Sequence, residues 1–535
     1  MLNSQEIVPR FSNPILAAID IGTNSVHMIV VRINAEFGAF STIAREKETV
    51  RLGDREPKTG NLTKEAMERT ISALQRCKDL ANSLDASQTI AIATSATREA
   101  PNGREFLEQI KERVGLSVDL ISGQEEARRI YLGVLSGVDF NQQSHIILDI
   151  GGGSTELILG NSEEPLFLSS TKIGAVRLTQ DFVKNDPVSA SEQIAMRAYI
   201  QGMLERPIDE LKSSLMPEEQ VGIIGTSGTI ETLATVHALN KLGYVPNPLN
   251  GYQMKRRDIR EMVRNFATLS CISRTLIPGV SERRSEIIYA GSLILLETMT
   301  MLEIDTITLC ERALREGIIV DWMLAHGYID SRLSYQKEVK SRSVMKISHK
   351  YGVDLEHSKN VAAFAISFFE QTKGLLHNWG ATEKELLWAA SILHNSGIHI
   401  SHSAHHKHSY YLIRNSELLG YTEIELELIA NIARYHRRSK PKRRHESYSQ
   451  LSESQKQLVR ELSAILRLAV AMDRRQIGAV SQIECKYDAE YRSLHLHIFP
   501  LQADDNCALE LWSLNYKKMV FEEEFKVKLL TTLAK

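Results

Sequence analysis

The chain has 535 residues, which is too long for one compact core, and at about 150 residues per domain it should hold roughly three to four domains. Charged residues make up 24% and hydrophobic residues 43% of the sequence, which excludes a disordered or fibrous protein. The 64 Lys and Arg residues nearly balance the 66 Asp and Glu residues, and the net charge of −2 argues against nucleic acid as a partner of the whole chain.

The cysteines and the lengths of the apolar runs indicate the cellular compartment of the protein. The five cysteines are scattered and form no Cys-x-x-Cys pair, so neither a disulfide framework nor a cysteine zinc site is expected. Residues 1–13 lack the apolar core of a signal peptide. No apolar run approaches the roughly 20 residues that span a bilayer. We therefore expect a cytoplasmic protein without a transmembrane segment, for which peripheral membrane association stays open.

The first predicted element is a β-hairpin that occurs twice. Residues 15–31 contain an apolar run, a Gly/Thr/Asn/Ser turn and a second apolar run, which is the pattern of a hairpin. Residues 145–160 repeat this pattern, and one constant offset superposes Asp20 on Asp149. The repeat predicts two similar domains that face each other.

Strands alternate with helices between and after the two hairpins. The predicted elements are, in chain order, a helix over 62–84, a strand over 89–94, a helix over 104–114, a strand over 117–121, a helix from 123, a helix over 191–211, a strand over 221–224 and a helix from 230. Such alternation predicts an α/β architecture.

The pattern changes after about residue 330. Amphipathic helical spacing dominates from 336 to about 475, and residues 481–501 then alternate like strands. We therefore predict an α/β pair of domains, a mostly helical domain and a small α/β tail, with the boundaries 14–138, 139–328, 335–480 and 481–535.

The hairpin around Asp149 carries the sharpest chemical signal. If residues 151–154 form its turn, Asp149 and Glu156 lie opposite each other with Cβ atoms about 4.5–5.5 Å apart. Two facing carboxylates are unfavourable unless a cation or a shared proton lies between them. Carboxylates, glycine amides and hydroxyls suit Mg²⁺ together with phosphate. The alternative is a solvent-exposed hairpin with a flexible turn, which the repeat disfavours.

Other segments are candidate phosphate ligands. The turn of the first hairpin presents consecutive amides around Asn24 and Ser25, and residues 225–229 form a Gly/Thr/Ser turn at a helix start, where amides and the helix dipole favour anions. The second turn has the alternative of a simple helix cap. No Gly-x-x-x-x-Gly-Lys-[Ser/Thr] occurs, which excludes a P-loop NTPase.

Arg98, Glu125 and Glu126 each have a structural and a functional interpretation. Arg98 follows a predicted strand and is either a salt-bridged arginine or a bidentate clamp on a phosphoryl group. The two glutamates begin a predicted helix, where acids interact favourably with the helix dipole. One of them could instead hold an attacking water.

Five motifs, taken together, resemble the exopolyphosphatase/guanosine pentaphosphate phosphatase (Ppx/GppA) family. They are Asp20-Ile-Gly-Thr-Asn-Ser25, Ala93-Thr-Ser-Ala-Thr-Arg98-Glu-Ala, Ile121-Ser-Gly-Gln-Glu-Glu126-Ala-Arg, Asp149-Ile-Gly-Gly-Gly-Ser-Thr-Glu156 and Gly225-Thr-Ser-Gly-Thr229, in family order. The resemblance runs from about residue 15 to 324 and is looser beyond. It implies the actin/Hsp70/sugar-kinase fold, in which two ribonuclease-H-like domains flank a cleft.

The resemblance also implies residue roles. Glu126 matches the general base that activates water, and Asp149 and Glu156 match the Mg²⁺-binding acids. The residues that match the phosphate cradle are Asn24, Ser25, Arg98, Gly151, Gly152, Gly153, Ser154, Gly225, Thr226, Ser227, Gly228, Thr229 and, on the substrate side, Arg284. The stretch 310–317 departs from the family pattern.

The helical region resembles an HD-type domain, as in the long members of the family. His357, His394, Asn395 and Asp473 fall at the positions of the HD metal ligands. Asn395 stands where an aspartate would bridge metals, and a neutral amide cannot supply that charge, so we expect this domain to be non-catalytic. The nearby basic run 434–444 is either a contact for a polyanion or a solvated loop.

These expectations converge on an exopolyphosphatase that uses Mg²⁺ to release orthophosphate from the end of inorganic polyphosphate, and family resemblance implies a homodimer. One alternative is the same chemistry on guanosine pentaphosphate, which gives the tetraphosphate. Two others are a non-hydrolytic protein that senses phosphate or the alarmone, and a sugar or acetate kinase on the same fold.

Overall fold

The structure is a computed structural model that describes residues 13–140, 143–216, 221–329, 339–416, 418 and 420–534. The chain divides into two compact units, one ending at residue 339 and the other beginning at residue 340. The predicted four-domain division, with its boundaries, stays a prediction.

The first half of the N-terminal unit, lobe I, is a mixed sheet with helices on both faces. Its elements are β1 (Ile15–Ile21), β2 (Ser25–Asn34), β3 (Ala39–Thr49), α1 (Lys64–Ser83), β4 (Gln88–Ala93), α2 (Ser95–Glu99), α3 (Gly103–Val114), β5 (Val118–Leu120) and α4 (Gly123–Leu135). The strand order is β3-β2-β1-β4-β5. Strand β1 is almost wholly apolar because it is covered on both faces.

The second half, lobe II, repeats this topology. Its elements are β6 (His145–Ile150), β7 (Thr155–Gly160), β8 (Pro165–Thr171), α5 (Ala175–Phe182), α6 (Ala190–Ser213), β9 (Gly222–Thr226), α7 (Gly228–Leu242), β10 (Gln253–Lys255), α8 (Arg256–Thr268), α9 (Cys271–Thr275), α10 (Glu282–Ser285), α11 (Ile288–Met301), β11 (Thr306–Leu309) and α12 (Leu314–Ala325). The order β8-β7-β6-β9-β11, extended by β10, matches that of lobe I. The predicted duplication is confirmed.

The two lobes meet where α4 of lobe I crosses α12 of lobe II. Both helices contribute to a buried apolar cluster that also includes residues of β1 and β6. At the crossing, a methyl group added to Gly133 would overlap the backbone carbonyl of Ala313, and one added to Gly317 would overlap that of Arg129. The two backbones therefore touch at these glycines, and no larger residue fits there.

The C-terminal unit is a helical bundle followed by a small sheet. Its elements are α13 (Val339–Lys350), α14 (Leu355–Thr372), α15 (Ala381–Leu393), a 3₁₀ turn (Ser396–His399), α16 (His405–Arg414), α17 (Glu423–Arg434), α18 (Glu446–Ser449), α19 (Glu453–Met472), β12 (Val480–Asp488), β13 (Ser493–Pro500), α20 (Ala508–Lys517), α21 (Met519–Phe525) and β14 (Lys528–Leu533). The strand order is β12-β13-β14. The predicted helical region and α/β tail are confirmed, and sequence analysis missed β14.

The HD-type positions come together inside this bundle. His357 Nδ1 lies 2.7 Å from Asp473 Oδ2, and both side chains are buried. The rings of His357 and His394 have centroids 5.5 Å apart. Asn395 directly follows His394 and precedes the 3₁₀ turn. The absence of catalysis in this bundle stays a prediction.

Three of the seven Lys and Arg residues in the basic run 434–444 contact other residues of the C-terminal unit. Arg434 stacks on the rings of Tyr410 and Tyr435, Arg437 contacts the ring of His405, and Lys440 pairs with Glu523. These interactions reduce the number of cations that remain for a polyanion.

Candidate active site

The two hairpins place acidic residues at equivalent points in the two sheets. In lobe I, Asp20 pairs with His27 across β1 and β2. In lobe II, Asp149 pairs with Glu156 across β6 and β7, which confirms the predicted register. Because side chains alternate along a strand, this register directs the two lobe II acids to the same face of the sheet.

The hairpin turns, α4 and the start of α7 enclose a cavity of about 150 Å³ between the lobes, here called the cleft cavity. The predicted site residues that line it are Asn24, Ser25, Glu126, Asp149, Gly151, Gly152, Gly153, Ser154, Glu156, Ser227, Gly228 and Arg284. The structure thus brings together residues that are separated by up to half of the chain.

The hairpin turns approach each other closely at Gly153. A methyl group added to this glycine would lie 2.6 Å from Thr23 Oγ1 and 2.7 Å from Ser95 Oγ, both shorter than a carbon–oxygen contact allows. Gly153 therefore permits a close approach of lobe II to lobe I at the cavity.

Arg98, Gly225, Thr226 and Thr229 are predicted site residues that do not line the cleft cavity. A methyl group on Gly225 would meet the side chains of core residues, and Thr226 Oγ1 donates to the Arg312 carbonyl at 3.1 Å. Thr229 is buried. In this turn, only Ser227 and Gly228 reach the cavity.

Arg98 lies behind Glu126 and contacts it directly. Its Nη1 atom donates to Glu126 Oε2 at 3.2 Å and to the Ile121 carbonyl at 2.8 Å. Only 24% of the Arg98 side chain and 9% of the Glu126 side chain are exposed. In this structure Arg98 therefore orients the carboxylate of Glu126.

Four buried carboxylates face the cleft cavity, and burial raises the pKa of each. The pKa of Asp20 is raised to about 6, although Arg315 opposes the shift. Burial raises the pKa of Glu156 to about 7, opposed by hydrogen bonds from Ser170 and Ser154. Burial, followed by the charge of Glu156, holds the pKa values of Glu126 and Asp149 well above their usual range.

This acid cluster fits a divalent cation. The Oδ1 atom of Asp20 is buried and has no hydrogen-bond partner, and Asp149 faces Glu156. Within the described ranges, no three His, Cys, Asp or Glu side chains form a complete metal-binding group. Mg²⁺ does not need one, because it is usually held by one or two carboxylates together with waters and substrate phosphates. Asp149 and Glu156 are therefore suited to Mg²⁺.

Positive and neutral donors line the same cavity as the acids. Arg284 and Arg315 line the cavity, and the buried hydroxyl of Ser227 has no hydrogen-bond partner. An unpaired buried donor is costly unless a ligand satisfies it. These groups are suited to the oxygens of a phosphate chain.

Several residues that line the cavity were not assigned from the sequence. Among them are Asp20 as a fourth acid, His27, Ser95 and Arg315. Asp20 could have been assigned from its equivalence to Asp149. Arg315 lies in the stretch that departs from the family pattern, and its position after β11, which runs parallel to β9, is the signal that points toward the cleft.

The fold and the cleft define a duplicated ribonuclease-H-like protein whose two lobes enclose an acid-lined, phosphate-sized cavity. The model of the Ppx/GppA phosphatase family matches residues 29–326, and that of Ppx/GppA phosphatase domain III matches residues 339–518. The chain belongs to the Ppx/GppA phosphatase family, whose members are hydrolases.

Individual relatives agree with this assignment. A curated guanosine-5′-triphosphate,3′-diphosphate pyrophosphatase of Vibrio parahaemolyticus is 30% identical over 508 residues, which cover 94% of this chain and 95% of that protein. An exopolyphosphatase structure from Cytophaga hutchinsonii is 26% identical, with a TM-score of 0.54, and the match covers 59% of this chain and 99% of that one. A family member from Aquifex aeolicus is 30% identical, with a TM-score of 0.50 and coverages of 59% and 99%.

The described residues also bear on membrane insertion. None of the helices in these ranges has the length and apolar character that crossing a bilayer requires.

Proposed function

We propose that this protein is an exopolyphosphatase that hydrolyses the terminal phosphoanhydride bond of inorganic polyphosphate and releases orthophosphate. The observation that carries the proposal is the buried Glu126 carboxylate, which shares one cavity with the facing pair Asp149 and Glu156. This arrangement combines a base with a site for a cation next to phosphate-sized space. A homodimer in the cytoplasm is part of the same proposal.

Glu126 acts as the general base. Burial raises its pKa toward the operating pH, where a carboxylate accepts a proton from water most effectively. The water oxygen forms a bond to the terminal phosphorus, the bridging P–O bond breaks, and the proton of the water passes to Glu126. Arg98 holds the carboxylate in place through its 3.2 Å contact.

Asp149 and Glu156 would hold Mg²⁺, which supplies charge neutralisation and polarises the phosphoryl group when bound. The protein itself would contribute the amides of Gly152 and Gly153, the hydroxyl of Ser25, and the guanidinium groups of Arg284 and Arg315. Phosphoryl transfer depends mainly on such positioning and charge neutralisation.

The test is a pair of adjacent substitutions on α4. Glu126→Gln should abolish phosphate release from polyphosphate while the protein still binds the polymer, because the amide keeps the shape but not the basicity. Glu125→Gln is the matched control, since Glu125 pairs with Arg128 and Arg129 and does not line the cavity. Full activity of Glu126→Gln would refute the assignment of the base.

A second candidate substrate is guanosine pentaphosphate, with the same reaction at its terminal 5′-phosphate. It is favoured by the name of the Vibrio relative, which matches this chain over almost its full length. Phosphate release from each substrate by one enzyme preparation ranks the two candidates. Release from neither, with phosphate-chain binding retained, would instead support a sensor.

A further inference from the structure

A hydrogen-bonded connection joins the two lobes beside the cleft cavity. Arg177, near the start of α5 in lobe II, donates from Nη2 to Glu99 Oε2 at 2.9 Å, and Glu99 ends α2 in lobe I. The same guanidinium donates from Nε to the Gly153 carbonyl at 2.9 Å. Arg177 thus contacts both a carboxylate of lobe I and the backbone of the hairpin turn 151–154, here called the lobe II turn.

The lobe II turn is fixed against the start of α5. The amides of Ala175 and Val176 donate to the carbonyls of Gly151 and Gly152, each at 3.0 Å. A methyl group added to Gly174 would overlap the backbone of Gly152, so the two backbones are in direct contact. The lobe II turn and α5 therefore keep one position relative to each other, and a contact to Arg177 on α5 also positions the turn.

On the other side, Glu99 is connected to the base of the proposed reaction. Helix α2 begins at Ser95, which lines the cleft cavity, and it also carries Arg98, which contacts Glu126. Ser95 Oγ donates to Glu99 Oε1 at 2.7 Å. One oxygen of the Glu99 carboxylate is therefore bound within lobe I and the other is bound by lobe II.

The pair formed by Glu99 and Arg177, here called the lobe clasp, is largely shielded from solvent. Only 16% of the Glu99 side chain and 28% of the Arg177 side chain are exposed. Burial would raise the pKa of Glu99, but the hydrogen bond from Ser95 and the charges of Arg177 and Lys172 hold this pKa below its usual range. The carboxylate is therefore ionised at neutral pH, and its hydrogen bond to the guanidinium is charge-assisted.

We infer that Glu99 and Arg177 are positioning residues that hold the lobe II turn in register with the Glu126 carboxylate. The inference rests on the proposed function, in which the turn binds the phosphate chain and Glu126 activates water. Neither residue of the lobe clasp lines the cleft cavity, so both act through other groups, Arg177 through Gly153 and Glu99 through α2 with Arg98. The alignment of water and phosphorus depends on this register, and a misplacement of about 1 Å is costly.

The test uses two conservative substitutions in the full-length protein. Glu99→Gln keeps the shape of the side chain but removes its charge. Arg177→Lys keeps the charge, but one ammonium cannot reproduce the two donors that the guanidinium directs at Glu99 and Gly153. Each variant should lower kcat for polyphosphate about tenfold or more and leave KM within about twofold, because alignment is needed in the transition state. In the protein that carries both substitutions, the loss should be smaller than the product of the two single losses.

Glu286→Gln is the matched control. Glu286 also forms an ion pair between the lobes, with Arg51 at 3.4 Å, but 48% and 52% of these two side chains are exposed, and exposed ion pairs contribute little. Its kcat and KM should stay at the wild-type values. Wild-type kcat in Glu99→Gln and Arg177→Lys, or an equal loss of kcat in Glu286→Gln, would overturn the inference.

Chemical rescue distinguishes positioning from a general loss of stability. Arg177→Ala leaves a space between Glu99 and Gly153 that suits a free guanidinium ion, and the partial exposure of Arg177 gives this ion access. Added guanidinium should restore part of the kcat of Arg177→Ala but not that of the variant that also carries Glu99→Gln. If guanidinium restores nothing and the lost activity equals the unfolded fraction measured by circular dichroism, the lobe clasp is only structural and the inference is overturned.

Failure of this inference can be distinguished from failure of the proposed function. If the wild type and both conservative variants release phosphate from polyphosphate equally well, the inference fails and the proposed function stands. If the wild type does not hydrolyse polyphosphate, the proposed function fails. Hydrogen–deuterium exchange then decides the inference, because Arg177→Ala should speed the exchange of the amides of residues 151–154 and Glu286→Gln should not. Equal exchange in the two variants would overturn the inference.

Discussion

Replacing Gly228 by alanine should displace a guanidinium group from the cleft without disturbing the fold. Gly228 begins α7 with an ordinary helical backbone, so alanine is not strained there. The added methyl group would overlap Arg284 Nη2 and lie 2.8 Å from its Cζ atom. Carbon atoms in contact stay about 3.5–4.0 Å apart, so the guanidinium must move by about 1 Å.

A shift of this size is large for a guanidinium that, in the proposed function, contacts the reacting phosphate. A misplacement of about 1 Å costs roughly 10²-fold in rate. Removing such a donor entirely, as in Arg284→Ala, costs about 10²–10³-fold. Gly228→Ala and Arg284→Ala both act through the guanidinium of Arg284. The variant that carries both substitutions should therefore lose no more activity than Arg284→Ala alone.

The assay is the initial rate of phosphate release from a short polyphosphate, with thermal denaturation as the measure of folding. Gly202→Ala is the control, because nothing lies within 4 Å of a methyl group added to that exposed glycine of α6. Wild-type activity of Gly228→Ala would refute the placement of Arg284. If the activity losses of Gly228→Ala and Arg284→Ala add in full in the double variant, the methyl group at residue 228 acts on a group other than Arg284.

Three further predictions concern the buried acids and the crossing of α4 with α12. Folding raises the pKa of Asp20 from 3.8 to about 6, so the ionised carboxylate destabilises the folded protein above pH 3.8. Asp20→Asn removes this charge and should increase the unfolding free energy of the metal-free protein at pH 8 by up to about 3 kcal/mol. Below pH 4, where Asp20 is protonated, the variant should show no gain in stability. Equal thermal midpoints of the two proteins at pH 8 in a chelator would contradict this. Burial and the charge of Glu156 raise the pKa of Glu126, and the charge of Arg98 partly opposes that rise. Arg98→Ala should therefore raise the pKa of Glu126 further and move the acid limb of the kcat/KM profile to higher pH. An acid limb that does not move would exclude an electrostatic interaction between Arg98 and Glu126. Gly133→Ala should lower the unfolding free energy by about 1–3 kcal/mol, because the added methyl group overpacks the contact between α4 and α12. Gly202→Ala is the control. Unchanged stability of Gly133→Ala would mean that α4 and α12 separate easily.

The repeated hairpins could be predicted from the sequence because their evidence is local. Alternation with a period of two fixes which residues face each other across a short turn, and the pairing of Asp149 with Glu156 follows from it. The same logic gives the pairing of Asp20 with His27.

Other parts of the site depend on contacts between elements that are distant in the chain. Arg315 reaches the cleft only because β11 joins the sheet next to β9, and Ser95 reaches it because Gly153 allows the lobes to approach. Neither arrangement has a local sequence signal. The turn 225–229 shows the reverse case: its composition suits phosphate along its whole length, but Gly225 and Thr229 face the core and only its centre reaches the cavity.

The glycine contact between α4 and α12 has a mechanical consequence. Helix α4 carries Glu126 at its start and α12 carries Arg315. Gly133 touches Ala313 about two turns along α4 from Glu126, and Gly317 touches Arg129, less than one turn from Glu126. A point where two backbones touch acts as a pivot, because small sliding motions there cost little compared with separating the helices. Because Gly317 lies two residues from Arg315 and touches Arg129, three residues from Glu126, a motion of the lobes about this contact would move the Arg315 guanidinium and the Glu126 carboxylate little relative to each other.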